Sequence, residues 1–251
     1  MGKFMKSITC LVVLMIGASA FAASGEIELE KAGNDPGSTA SLQRGARNFM
    51  SYCAGCHSAI YVRYKSIARD LELNEEQLID NLMFNAERPF ETIQASMPAS
   101  DAARWFGRAP PDMSLMARAK GTDYIYNFLR GFYLDPDSPT GVDNLHLSGT
   151  SMPNVLWELQ GYQRAVFVAG EADEAGTAPH VFDGFESVTT GTMSAKEFDE
   201  FVRDTVNFLE YISEPIRRTR RVLGVWVLLF LSFFLFVSWK LYKDIWKDVP
   251  K

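Results

Sequence analysis

Cys53-Ala54-Gly55-Cys56-His57 is the stretch from which the rest of this 251-residue chain is read. Two thiols separated by two residues reach both vinyl groups of one protohaem, and the imidazole that follows at once is carried beneath the iron. Gly55 gives the backbone room to turn between the two attachments. Two other chemistries compete for the same residues. A redox-active dithiol expects a strand–helix context, which Arg47-Asn48-Phe49-Met50 does not suggest. A zinc site wants a second ligand pair, and the only other histidines are His146 and His180. The remaining cysteine, Cys10, lies in an N-terminal apolar run. The pentapeptide therefore predicts one covalently attached haem c.

The sixth iron ligand decides what such a haem does. A thioether opposite the histidine raises the potential and suits electron transfer, whereas an open position suits ligand binding or peroxide chemistry. Met83 and Met116 fit apolar helical faces and read as core. Met97-Pro98 and Met152-Pro153 both lie in breaker-rich loops, where the proline biases the methionine toward extended backbone and stiffens the loop. Spacing favours Met152 over Met97, and Met193, His146 and His180 stay open.

Outward from the pentapeptide, the two ends of the chain set the compartment. Residues 1–22 read as a secretory signal: Lys3 and Lys6, an apolar stretch from Ile8 to Ile16 too short to span a bilayer, then Ala18-Ser19-Ala20 or Ala20-Phe21-Ala22 as cleavage site. Cys10 leaves with it. Val222 to Trp239 carries no charge, and at 1.5 Å per residue its length of about 27 Å matches the hydrocarbon thickness. The predicted span covers 222–241. Trp239, Tyr242 and Trp246 suit a headgroup interface where Lys240, Lys243 and Lys247 reach water. Four basic residues flank the span on each side, so the positive-inside count is a tie. The signal breaks it: residues 23–216 form a periplasmic domain and 242–251 a cytoplasmic tail.

Net charge is −6 over the whole chain, yet −14 over residues 23–216. That excludes the basic face a nucleic-acid binder needs. Within the domain a helix is expected from about Ser41 to Tyr52, with Leu42, Gly45, Ala46 and Phe49 on one face. Asn74-Glu75-Glu76-Gln77 resembles a capping box opening a helix with Leu78, Ile79, Leu82 and Met83. Ala95 to Pro111 holds several breakers. Short helices are expected at Ser114–Lys120 and Asp123–Arg130, the second stopped by Gly131. From Asp135 to Gly191 the chain reads as long and irregular, with short strands such as Ala165 to Val168, and needs something like a buried cofactor to organise it. Ser194 and Glu197 then cap an amphipathic helix with Phe198, Phe201, Val202, Thr205, Phe208, Leu209 and Ile212 on one stripe, ending at Glu214-Pro215.

Taken in order, the C-x-x-C-H site after a Gly/Phe helix, Pro110-Pro111-Asp112-Met113-Ser114, Met152-Pro153, Gly191-Thr192-Met193-Ser194 and a helix ending Ser213-Glu214-Pro215 before one C-terminal span resemble the cytochrome c1 family, in a bacterial form. The resemblance runs from about Ser41 to Lys247. It implies a mainly α fold: a cytochrome c-like haem domain with long irregular loops, plus one C-terminal transmembrane helix. It makes Cys53 and Cys56 the thioether attachments, His57 the proximal ligand and Met152 the distal one. A basic residue meets a haem propionate in this family, and here Arg118 and Lys120 are both candidates. Tyr126 falls where the family places an aromatic near the haem. The family's fold also implies that the Gly45/Phe49 helix crosses the Phe201–Tyr211 helix, with Gly45 permitting close approach. One proline followed by Asn154 after Met152 departs from the longer proline runs of familiar versions.

The resemblance implies an electron-transfer subunit of the quinol–cytochrome c reductase complex. Its partners would be cytochrome b, the Rieske iron–sulfur protein, a soluble cytochrome c and the lipid bilayer, in a dimeric assembly, with no substrate-converting site of its own. The acidic domain would steer a basic carrier, although acidity also confers solubility. Glu171, Asp173 and Glu174, with Asp183 and Glu186, are the acidic clusters of the irregular region. An independent membrane-tethered shuttle and a haem enzyme or sensor with an open sixth site are the competing classes. The short, stiff Ser213-Glu214-Pro215 join disfavours the first.

Overall fold

A computed structural model describes residues 27–170 and 180–248. The signal-like segment 1–22, with Cys10, and the acidic trio Glu171, Asp173 and Glu174 lie outside the described residues. Along the chain run α1 (Thr39–Tyr52), β1 (Ala59–Arg63), α2 (Tyr64–Asp70), α3 (Glu75–Leu82), β2 (Thr92–Ile93), α4 (Ala99–Phe106), α5 (Met116–Lys120) and α6 (Thr122–Arg130). There follow β3 (Phe132–Leu134), β4 (Val142–Asn144), α7 (Trp157–Gln160), β5 (Gln163–Ala169), β6 (His180–Ser187), α8 (Ala195–Ser213) and α9 (Arg217–Ile245). The strands form three separate two-stranded antiparallel ladders, β1 with β2, β3 with β4, and β5 with β6.

The core is built on the crossing of α1 and α8. Ser38 caps α1 through its hydroxyl, and Ser194 with Glu197 forms a complete capping box on α8. The expected stripe of α8 is buried, apart from half-buried Phe201. At Gly45 a Cβ would lie 2.0 Å from the Asp204 carbonyl oxygen and 2.8 Å from the Phe208 Cβ, so only glycine lets the backbones come this close. Phe49 meets Phe208 at 5.7 Å between ring centroids, and Tyr52 meets Phe201 edge-on at 5.3 Å. Polar groups register the same crossing: Asn48 Nδ2 donates to the Phe201 carbonyl and to Thr205 Oγ1, each at 3.2 Å, and Arg44 Nε donates to Asp204 at 2.5 Å.

Elsewhere the fold differs from expectation in ways that have physical causes. The breaker-rich stretch 95–111 contains α4: Pro98 stands at its N-cap, where a missing amide costs nothing, and left-handed Gly107 ends it. Breakers here punctuate a helix. α2 carries no strong signal, being too short for a periodicity. In α3 the capping box is present as read, but Ile79 is exposed while Leu78, Leu82 and Met83 are buried. An eight-residue helix has only two turns of inner face. Among its described residues the segment 135–191 is more ordered than expected, with β4, α7 and the β5–β6 ladder.

α9 contains the one helix stretch among the described residues long and apolar enough to cross a membrane, Thr219–Ile245, with a mean hydropathy of 2.4 and no part covered by the domain. Its start is tied to α8, Arg217 pairing with Glu210 and Arg220 with Glu214.

Candidate functional site

The expected attachment loop is formed where α1 runs out. The amides of Cys53 and Ala54 both donate to the Phe49 carbonyl at 2.9 Å, and those of Cys56 and His57 both donate to the Cys53 carbonyl, at 3.0 and 2.8 Å. This winding sets both thiols on one turn of chain. The cysteines are free, Cys53 half-buried and Cys56 exposed. Burial, and then the neighbouring Cys56, push the Cys53 thiol up to about 12. A redox-active dithiol needs the opposite, a depressed thiol.

His57 is fixed by the Pro-Pro-Asp-Met-Ser segment. Its Nδ1 lies 2.8 Å from the Pro111 carbonyl oxygen, which can only accept, so Nδ1 carries the proton and Nε2 keeps its lone pair. Burial pushes the imidazole pKa down, against the pull of the Pro111 bond and Asp112, so the ring stays neutral. The rest of the motif holds the same strand. Asp112 Oδ2 accepts from the Ile60 amide at 2.9 Å, Ser114 Oγ from the Tyr61 amide at 3.1 Å, and the Met113 amide donates to the Ser58 carbonyl at 2.7 Å. Asp112 Oδ1 also accepts from the Ser114 amide at 2.9 Å, bracing the motif internally.

The candidate sixth ligands separate by position. Met152 lies in the loop before α7, half-buried against the core, as Cys53, Met113, Met116, Tyr124, Phe128 and Met193 also are. The Met97 amide is bonded at 3.0 Å to the Gly55 carbonyl, so this residue runs along the attachment loop itself. Met193 and His146 line a separate cavity of about 850 Å³, with Arg130 and Gln160, which no attachment residue and not Met152 borders. His180 opens β6, paired with Ala169.

Arg118 and Lys120 are both exposed on α5, and neither forms an ion pair among the described residues. Lys120 Nζ lies 5.5 Å from the ring centre of Tyr124, which stacks on Phe128 at 6.1 Å. Tyr126 is buried elsewhere, with the guanidinium carbons of Arg130 and Arg203 at 4.6 and 6.0 Å from its ring centre. Two residues apart on a helix means about 200° around it, so Tyr124 and Tyr126 face opposite ways. Tyr124 escaped the reading of the sequence, although Tyr124 and Phe128 keep the four-residue spacing that marks one face of α6.

These residues fit a covalent haem: two free thiols on one turn, a neutral imidazole with a single nitrogen to give, a half-buried thioether, and two cations without an ion pair among the described residues that could meet propionates. The comparisons agree. The model of the cytochrome C1 family matches residues 37–249. A cytochrome c1 of Allochromatium vinosum is 42% identical over 246 residues, 98% of this chain and 100% of its own length. A protein of Nitrosomonas europaea named ammonia monooxygenase gamma subunit is 36% identical over 95% of this chain and 96% of itself. A Candida albicans protein named cytochrome b-c1 complex catalytic subunit, mitochondrial, is 26% identical over 77% of this chain and 66% of itself. From its attachment loop to its membrane anchor, this chain belongs to the cytochrome c1 family, and its cofactor is a covalently attached haem c.

Proposed function

We propose that the chain is the electron-transferring haem subunit of a membrane-bound quinol–cytochrome c reductase, taking an electron from a Rieske iron–sulfur protein and handing it to a soluble cytochrome c. The observation that carries this is the His57–Pro111 bond, which dedicates Nε2 to a metal on a chain that also offers two thiols one turn away. Bound haem supplies a one-electron couple at iron. Everything else is the work of the chain. Cys53 and Cys56 would hold the group by thioethers, with His57 and Met152 as the protein ligands to its iron, a pairing that would suit electron transfer over ligand binding. Lys120, with Arg118, meets a propionate, and Tyr124 takes the place beside the haem expected of Tyr126.

In this reading the domain is exported, residues 1–22 are its signal, and the lysine-bearing end of α9 faces the cytoplasm. Ion pairs across the α8–α9 joint hold the head at a set angle to its anchor, which suits a subunit seated beside cytochrome b in a dimeric complex. The test is a reduced-minus-oxidised visible spectrum of the C-terminally tagged chain, isolated from its native membrane in mild detergent. Co-purifying b-type haem, about two per c-type haem, is the expected result. A c-type band alone, from intact tagged protein, would make the chain a tethered shuttle. Absence of a c-type band would overturn the haem assignment.

A further inference from the structure

The loop that carries Met152 is gathered by one buried carboxylate. Asp143 stands in β4 opposite Tyr133 in the antiparallel ladder, so its own backbone is fixed. Its Oδ1 accepts from the amide of Gly149 at 2.8 Å and from that of Thr150 at 3.3 Å, besides the adjacent Asn144 amide at 2.8 Å. Its Oδ2 accepts from the Ser148 hydroxyl at 3.3 Å. Thr150, itself buried, passes the restraint on, its Oγ1 accepting from the Met152 amide at 3.4 Å. Asn144 closes the other end: Nδ2 donates to the Phe128 carbonyl at 2.8 Å, and Oδ1 accepts from the His146 amide at 2.9 Å. Residues 144–150 thus fold around Asp143 and are tied to α6, the helix that also bears Tyr124 and Phe128.

We infer that Asp143 is a positioning residue for the distal ligand, setting the backbone two residues before Met152 so that its thioether meets the iron without the loop having to be ordered at that moment. The inference rests on Met152 as the distal ligand. The physical reason is entropic. Residues 148–154 belong to no helix or strand, and fixing each free residue costs conformational entropy, a cost that a weak iron–thioether bond meets poorly. A carboxylate can hold several amides at once through charge-assisted bonds, roughly twice as strong as neutral ones.

The test compares Asp143→Ala, Asp143→Asn and Met152→Ala in the full chain purified with its haem. Two readings are taken: the long-wavelength charge-transfer band of oxidised haem that reports methionine ligation, and the affinity of the oxidised iron for imidazole, which displaces methionine. Asp143→Ala should weaken the band and tighten imidazole binding about 10-fold or more, the usual scale for losing a group that orients a metal ligand. Asp143→Asn, which keeps one neutral acceptor, should fall between, losing the band at a lower temperature than the parent while far-ultraviolet circular dichroism is unchanged. Should Asp143→Ala fail to accumulate, Asp143→Asn decides alone. Parent-like band melting and imidazole affinity in the Asp143 variants, with both altered in Met152→Ala, would overturn the positioning role only. A band that survives Met152→Ala would overturn the ligand assignment and the inference with it.

Discussion

At Asp123 one carboxylate holds the segment that leads into the domain. It accepts from the Ala32 amide at 2.9 Å and from Lys31 Nζ at 2.9 Å, while Asn127 exchanges bonds with the backbone of Glu30. The Ala32 amide above all, with Lys31, holds the Asp123 pKa below the ordinary carboxylate value despite some burial. A depressed acid stabilises the fold above its unfolded value of about 3.9 and stops doing so as pH falls through the lower folded value. Asp123→Ala should therefore lose about 1–2 kcal/mol at neutral pH. The difference from the parent in urea unfolding should shrink steadily below pH ~4. At Asp112 two acceptor positions serve the Ile60 and Ser114 amides. Asp112→Ala leaves both to water, and a loss of about 1 kcal/mol in thermal unfolding is expected, with the haem still attached because its expected covalent links are to Cys53 and Cys56 and the His57–Pro111 bond does not involve Asp112.

Among the elements, the α1–α8 crossing sets the distance from which the attachment loop starts. Gly45→Ala gains helix propensity of up to about 1 kcal/mol but drives a methyl to 2.0 Å from a backbone oxygen. The clash wins, because a main-chain carbonyl in a helix cannot swing aside. Thermal unfolding of this variant should show a net loss of about 1–3 kcal/mol, and parent-like stability would mean that the helices stand farther apart. A second close approach locks the far side. Gly191 admits no Cβ either, since one would lie 2.1 Å from the Leu159 carbonyl oxygen, which seats the entry to α8 on the end of α7. The β5–β6 ladder keeps its register through cross-strand pairs such as Phe167 with Phe182. It therefore holds its shape by pairing, in a region for which the sequence suggested a buried cofactor as organiser.

For the whole molecule, the anchor and the head are separate in what they bury. No part of the apolar window of α9 packs on the domain, so ending the chain after Glu214 should leave a water-soluble protein with its haem spectrum intact, checked by fractionation and absorbance. An aggregated product would show that the anchor contributes to the core. Charge acts at the same scale. With −14 over residues 23–216, electron transfer to a basic soluble cytochrome c should slow steeply as salt shortens the Debye length from about 30 Å at 0.01 M to about 10 Å at 0.1 M. A rate indifferent to salt would mean that the acidity serves solubility alone.

The sequence by itself determined what is encoded in short spacings. C-x-x-C-H gives the cofactor, eighteen uncharged residues give the span, and the capping boxes at Asn74 and Ser194 give helix starts, because each depends on neighbours along the chain. The helix crossing at Gly45 was legible too, once the family likeness named its partner. Only the tertiary structure decided which groups share a face or a bond across distance. Pro111 holds His57 from fifty-four residues away. Asp143 closes a loop whose polar residues look interchangeable in sequence. Which way Tyr124 and Tyr126 face is likewise set by packing, because a nine-residue helix with apolar residues on several sides does not announce the face of α6 that meets α8. Local chemistry is written in the order of residues, and long-range partnership in the shape they fill.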